Sequence, residues 1–203
     1  MKKIIYLIII GMLFISCNST SPPDKQTTVS QVSPKEQQKK LSLEEKKDIL
    51  KEFKIEKDEF KKIAFATPKI LKRGKGLNSY ITLSEDLDPV TFRIDMEYHG
   101  HSWVFIRNIY IKADDIVIKI PVDGLRDRKS HVIYGGGVLE WVDFSINQQQ
   151  MEEFYHNIDK ILYAKEVKIK FDGEDREYSQ TISKNQIDSL KQVVDTYRSL
   201  GGK

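Results

Sequence analysis

The side chains best suited to chemistry lie in one short segment of the sequence. Asp95, Glu97 and His99 occupy every second position, and His101 follows at the same spacing. In a β-strand this spacing directs the first three side chains to one face, with the fourth close by. Carboxylates and imidazoles within reach of each other can bind Zn²⁺ or a similar ion. The segment therefore predicts either a metal-dependent or hydrolytic site or the solvated face of an antiparallel strand.

A second group of side chains could bind an anion. Arg126, Arg128, Lys129 and His131 fall in a segment between Gly124 and the run Gly135–Gly137. Clustered cations beside flexible glycines can hold an anionic ligand through charge-assisted hydrogen bonds. The pattern is equally typical of an ordinary solvated loop. We retain both interpretations.

The remaining polar residues do not form a recognisable catalytic motif. Glu140, Asp143 and His156 could combine as acid and base, but neighbouring carboxylates on a strand are expected to be exposed. The sequence contains no nucleophile elbow and no HExxH metal motif. We therefore predict no catalytic residue and no cofactor. Trp103 and Trp141 lie among apolar residues and are expected in the core, with an exposed binding platform as the alternative.

The N-terminus has the organisation of an export signal. Lys2 and Lys3 precede an apolar run, residues 4–15, that would form a helix of about 18 Å. Such a helix is too short to cross a hydrocarbon core of about 30 Å. A basic start, a short apolar run and a small residue at its end are typical of a secretory signal peptide.

The run is followed by Ser16 and then by the chain's single cysteine, Cys17. The sequence Leu13-Phe14-Ile15-Ser16-Cys17 resembles the lipobox of bacterial lipoproteins, with Phe14 where leucine is usual. The resemblance implies removal of residues 1–16, a thioether from Cys17 to diacylglycerol, and acylation of its amine, for example by palmitate. Two or three acyl chains would anchor the protein stably. The alternative is an uncleaved N-terminal anchor with an incidental cysteine.

Residues 17–40 are predicted to form a lipidated cysteine and a flexible tether. Residues 18–40 are rich in Ser, Thr, Gln, Pro and Lys, and cannot bury enough apolar surface to offset the entropy of ordering. As a random coil they would span about 25–30 Å. The formal charge of +3 arises before residue 41, because residues 41–203 hold 27 basic and 28 acidic residues. Near-neutrality and export both argue against a nucleic-acid partner.

Residues 41–203 are predicted to form one α+β domain. Ser42 with Glu45, and Ser183 with Gln186, have capping-box spacing and begin helices. A further amphipathic helix is expected from Asn147. Between these helices the hydrophobic period is two, which predicts a mainly antiparallel sheet of about seven or eight strands with one N-terminal and two C-terminal helices. One of these strands is expected to run from Trp103 to Ile111.

A second resemblance concerns this domain. Trp103–Ile106, Glu140-Trp141, Val167–Gly173 and Ile182–Tyr197 resemble segments of small exported bacterial proteins with one compact α+β domain. This resemblance implies a fold and no activity. Together the patterns predict a lipid-anchored envelope lipoprotein on the extracytoplasmic face of a bacterial membrane, with a non-enzymatic binding domain. Its partner would be an envelope protein or a small ligand. The alternative is the metal-dependent or hydrolytic enzyme.

Overall fold

A computed structural model describes residues 41–202 of the chain. The predicted signal peptide 1–16, the lipidation site Cys17 and the tether 17–40 lie outside the described residues. The helices of the described part are α1 (Leu43–Ile49), α2 (Glu152–His156), α3 (Ile158–Tyr163) and α4 (Lys184–Ser199). Its strands are β1 (Phe53–Asp58), β2 (Ile63–Pro68), β3 (Gly76–Ser84), β4 (Pro89–Gly100), β5 (Asn108–Ala113), β6 (Ile116–Pro121), β7 (Arg128–Ile133), β8 (Gly137–Ser145), β9 (Val167–Asp172) and β10 (Glu177–Thr181).

Local capping signals begin the first and last helices. The Ser42 hydroxyl accepts the Glu45 N–H at 3.3 Å, and the Glu45 carboxylate accepts the Ser42 N–H at 2.7 Å. Ser183 and Gln186 form the same reciprocal pair at the start of α4. Each pair satisfies two N–H groups that have no partner within the helix. Both predicted helix starts are confirmed.

The strands form two antiparallel sheets. One has six strands in the order β1-β2-β3-β4-β8-β7, and the other has four in the order β10-β9-β5-β6. The predicted α+β class with a mainly antiparallel arrangement is confirmed. The expected count of seven or eight strands was too low, since the described residues form ten strands in two sheets.

The structure differs from the prediction at the edge strands and where polar residues interrupt a helix. Strands β1 and β7 are sheet edges with mostly exposed side chains, so they lack the apolar alternation that marks a half-buried strand. The helix expected from Asn147 is interrupted: a 3₁₀ turn (Gln149–Met151) precedes α2, and Asn157 separates α2 from α3. The Asn157 amide donates to the Glu153 carbonyl at 3.0 Å and competes with regular helix bonding.

Helix α4 covers one face of the six-stranded sheet. It contacts β2, β3 and β4, and its broad buried face includes Leu190, Val194 and Tyr197. The Tyr197 ring meets Phe92 of β4 edge-on, with centroids 5.2 Å apart. We call the opposite face of this sheet the outer face. Side chains on the outer face point away from α4.

The first segment that joins the two sheets, residues 101–107 between β4 and β5, wraps around a buried carboxylate. Glu140 of β8 is fully buried, and it accepts backbone N–H groups from Val104 at 2.5 Å, Phe105 at 3.0 Å and Ile106 at 3.1 Å. Phe105 has φ 57°, a left-handed conformation that lets successive amides converge on one anion. The strand predicted from Trp103 is therefore wrong, since these residues bind Glu140 instead and β5 begins only at Asn108. The expectation that Glu140 is exposed was also wrong.

The other side of this segment meets a glycine of the second sheet. A Cβ on Gly173, in the turn between β9 and β10, would lie 1.8 Å from the Val104 carbonyl oxygen. The Arg107 N–H donates to the Asp172 carbonyl at 2.9 Å. Only glycine permits this approach, so the segment is held between Glu140 of one sheet and the β9–β10 turn of the other.

Glu140→Gln should lower the free energy of unfolding by about 1–3 kcal/mol, because the amide keeps one acceptor oxygen but presents an NH₂ donor to one of the three N–H groups, and a buried N–H without an acceptor costs about 1–3 kcal/mol. Urea unfolding monitored by circular dichroism measures this change. Glu177→Gln is the matched control: its carboxylate is exposed and pairs with Lys170 at 3.0 Å, a contact worth less than about 1 kcal/mol. Equal effects of the two substitutions would contradict the role given to Glu140.

Candidate functional site

The outer face collects the polar side chains of the central strands. In β4, Asp95 and Glu97 alternate with the buried residues Ile94 and Met96. The strand register places Asp95 opposite Asn78 of β3 on one side and Asp143 of β8 on the other. Acidic side chains from two adjacent strands therefore share this surface.

Asp95 is the most buried carboxylate of the outer face. It is 2% exposed, and its Oδ2 accepts the Arg73 guanidinium at 3.0 Å. Its buried Oδ1 has no hydrogen-bond partner. Arg73 comes from the loop between β2 and β3 and remains 64% exposed, so it covers Asp95 while keeping contact with solvent. This loop is fixed by Asn78, whose amide donates to the Gly74 carbonyl at 2.9 Å.

The surroundings of Asp95 favour its protonated form. Burial first, and then hydrogen bonding and repulsion from Glu97, raise the pKa of Asp95 to about 7, against the lowering effect of Arg73. A proton on Asp95 can bridge to Glu97 and give the second carboxyl oxygen a partner. Asp95 therefore exchanges its proton near neutral pH.

His99 extends this pair along β4. Its Nε2 lies 3.1 Å from the Glu97 carboxylate. Burial and the nearby Lys75 lower the pKa of His99, so at neutral pH the ring is uncharged and can donate to Glu97 through Nε2–H. His101 lies beyond the end of β4 with an exposed side chain. The sequence-predicted residues Asp95, Glu97 and His99 thus lie side by side along β4, and His101 lies beyond the end of the strand.

This row does not have the geometry of a metal centre. Within residues 41–202, no group of three or more His, Cys, Asp or Glu side chains could hold a metal ion. Asp95 is already bound by Arg73, and Glu97 contacts His99. The ligand arrangement therefore lends no support to the metal-dependent alternative.

A second polar network lies beside this row. The Tyr80 hydroxyl donates to Asp143 at 2.8 Å, and Arg93 donates to the same carboxylate at 2.9 Å. Burial and the Asp143 charge raise the pKa of Tyr80 well above its usual range, so the hydroxyl stays protonated. The Tyr80 ring meets Phe65 edge-on at 5.8 Å. Hydrogen bonds at one end and ring contact at the other hold Tyr80 in place.

A groove of about 210 Å³ opens over strands β1 to β3 of the outer face. It combines aromatic rings, neutral polar groups and charges of both signs. The lining residues are Glu56, Phe65, Thr67, Leu71, Arg73, Asn78, Ser79 and Tyr80. Arg73 belongs both to this groove and to the Asp95 contact, so a ligand that attracts Arg73 would alter the surroundings of the carboxyl pair.

The basic residues predicted as an anion-binding loop are divided between a turn and an edge strand. Arg126 lies in the turn before β7 and pairs with Asp127 at 2.9 Å. Arg128, Lys129 and His131 belong to β7, where successive side chains point to opposite faces. Arg128 stacks over Phe105, with its guanidinium carbon 5.3 Å from the ring centroid, and lies 3.9 Å from Glu140. The structure therefore does not gather these four residues in one loop.

Sequence reasoning missed the residues that define the groove. In the sequence, Arg73 is one of several neighbouring basic residues and Tyr80 precedes a short apolar stretch, so neither stands out as a site residue. Their roles depend on partners at sequence separations of 22 and 63 residues. The only local sign was a basic loop, residues 69–76, that precedes a strand with polar positions.

Comparison with protein-family models, curated protein sequences and solved structures found no match. None of the helices in residues 41–202 is long and apolar enough to cross a membrane.

Replacing Asp95 should change how stability depends on pH. The pKa of about 7 in the folded state exceeds the unfolded value of about 3.9, so between these values the native state binds more protons. The contribution of Asp95 to unfolding free energy therefore falls as pH rises from about 4 to about 7, and is constant above it. Asp95→Asn cannot titrate.

Urea unfolding of both proteins across this pH range measures the effect. We expect the difference in unfolding free energy, wild type minus Asp95→Asn, to decrease as the pH rises from about 4 to about 7. A difference that is constant with pH, or that increases, would contradict a raised pKa at Asp95.

Proposed function

We propose that this protein is a bacterial lipoprotein that presents a non-enzymatic binding domain outside the cytoplasm. Cys17 would carry the lipid anchor, residues 18–40 would act as the tether, and residues 41–203 would bind a partner in the cell envelope. The observation that carries the binding role is the groove of about 210 Å³ on the outer face. The lipobox-like sequence that ends at Cys17 supports the anchor.

The composition of the groove favours recognition of a mixed polar and apolar group. Phe65 and Tyr80 supply ring surface, and Tyr80 is held by Asp143. Arg73 and Glu56 supply opposite charges at the same groove. A few fixed polar groups beside apolar surface are the usual composition of a binding site.

The size of the groove favours a partner protein over a free small molecule. Sites for drug-sized ligands usually enclose about 300–1,000 Å³. At about 210 Å³ this groove accommodates one or two side chains of a larger partner. We therefore propose an envelope protein that inserts side chains here, and a small polar ligand is the other outcome that the experiments below can detect.

The anchor is tested at Cys17. In bacterial cells grown with an alkyne-labelled fatty acid, the wild-type chain should incorporate the label, and Cys17→Ser should not, because the acceptor thiol is lost. Cys17→Ser should also accumulate as the larger precursor. Ser16→Ala is the control, since it keeps a small residue before Cys17 and should be labelled like the wild type.

Two outcomes of the labelling experiment are incompatible with lipidation at Cys17. Equal incorporation in the wild type and Cys17→Ser, or none in either, would overturn the lipoprotein proposal. Electrophoretic mobility of the same samples separates an unprocessed anchor from a processed chain.

The groove is tested by blocking it. A photoreactive amino acid in place of Leu71 should give a discrete cross-linked product in the cell envelope, because this position lines the groove. Adding Thr67→Arg should reduce that product at least about tenfold, since the long side chain fills the groove. Thr181→Arg on the exposed edge strand β10 is the control.

The size of the cross-linked adduct identifies the kind of partner. A protein-sized adduct supports the proposed partner, and an adduct of small mass means a small ligand. A product equally abundant with Thr67→Arg and Thr181→Arg would show that the groove is not the binding site. Thermal unfolding of both variants verifies that each is folded.

A further inference from the structure

The turn between β1 and β2 presents a fully exposed aromatic side chain. Phe60 is 101% exposed, whereas most aromatic rings of the described residues contact other side chains or are buried. The turn is ordered by Asp58, whose carboxylate accepts the N–H groups of Phe60 and Lys61, both at 3.1 Å. Lys62 completes the turn with φ 53°. The backbone contacts therefore hold Phe60 away from the core at the tip of the hairpin.

The topology places this tip beside the point where the chain enters the described domain. Ile63 pairs with Ser84, so the turn 59–62 and the turn 85–88 lie at the same end of the six-stranded sheet. Lys46 of α1 donates to the Asp86 carbonyl at 2.9 Å and pairs with Asp88 at 2.6 Å. The first part of α1 therefore lies at the same end of the sheet as the two turns. After α1 the chain reaches Phe53, where β1 begins at the other end of the sheet.

The charges near the tip do not form a strong basic patch. Lys57, Lys61 and Lys62 are offset by Asp58 and Glu59, which leaves a formal charge of +1 on residues 57–62. Attraction to anionic lipid is therefore a minor contribution. The apolar Phe60 ring is the main group that could gain by leaving water, and lysine side chains can extend to the headgroups around it.

We infer that the β1–β2 tip docks on the membrane surface, with Phe60 inserted at the boundary between headgroups and acyl chains. The inference rests on the membrane anchoring proposed above, whether through acylated Cys17 or through an uncleaved N-terminal segment. With the random-coil span of about 25–30 Å expected for residues 18–40, the tip would remain within reach of the bilayer. Docking at this end directs the ends of the strands toward the membrane and leaves the outer face open to a partner.

Amine labelling of the full chain in vesicles tests the docking. The wild type, Phe60→Ser and Tyr134→Ser are purified from membranes and reconstituted in phosphatidylcholine, or in equal parts of phosphatidylcholine and phosphatidylglycerol. A membrane-impermeant acetylating reagent is added, and peptide mass spectrometry measures the modification of Lys61 and Lys62. Tyr134 is a matched control: it is also fully exposed, but it lies in the β7–β8 turn at the opposite end and edge of the sheet.

Full burial of a phenylalanine side chain favours the buried state by more than about tenfold. We therefore expect Lys61 and Lys62 to react at least about threefold faster in Phe60→Ser than in the wild type, in both lipid compositions. Tyr134→Ser should react like the wild type, and Lys129 on β7 should react equally in all three proteins.

Three results would overturn the inference. One is equal reactivity of Lys61 and Lys62 in the wild type and Phe60→Ser. Another is protection only in vesicles that contain phosphatidylglycerol, which would indicate electrostatic adsorption without Phe60. The third is protection only at high protein density, which would mean that a second copy covers the tip. The N-terminal peptide in the same spectra reports whether Cys17 is acylated, so failure of the anchor and failure of docking are distinguishable.

Discussion

The first crossover between the two sheets depends on one buried carboxylate. Glu140 accepts three consecutive backbone N–H groups from residues 104–106, and the left-handed conformation of Phe105 turns these groups toward it. The hydrogen bonds between the carboxylate and the amide groups replace those that each of these groups would make with water. Gly173 allows the second sheet to approach the same segment. The crossover between the sheets is therefore built around a charge in the interior of the domain.

This arrangement separates the stabilising part of the molecule from the surface available for binding. Helix α4 and residues 101–107 pack against one face of the six-stranded sheet, and the polar side chains of β3 and β4 lie on the outer face, opposite to them. The loop that carries Arg73 partly covers this face and produces both the groove and the buried contact with Asp95. The buried Asp95 carboxyl, whose pKa is raised, contacts this same arginine. A ligand that drew Arg73 away from Asp95 would raise the pKa of Asp95 further, because Arg73 lowers it.

The features that the sequence predicts correctly are those that depend on residues close together in the chain. Ser42 and Ser183 cap helices through partners three residues away, and the alternation of β4, β8 and β9 follows from one buried face. The segment Trp103–Ile106 was mistaken for a strand because four apolar residues in a row are typical of a buried strand. Its true partner, Glu140, lies 34 to 36 residues away. Arg73 and Tyr80 were missed for the same reason.

The central claim of the functional proposal concerns the chemical state of Cys17, since the tether, the orientation and the choice of partner all follow from an anchor there. The most direct measurement is the mass of the N-terminal peptide of the protein purified from bacterial membranes. The proposal predicts a peptide that begins at Cys17 and carries a diacylglycerol thioether. A peptide that begins at Met1, or one that contains Cys17 with a free thiol, would contradict it.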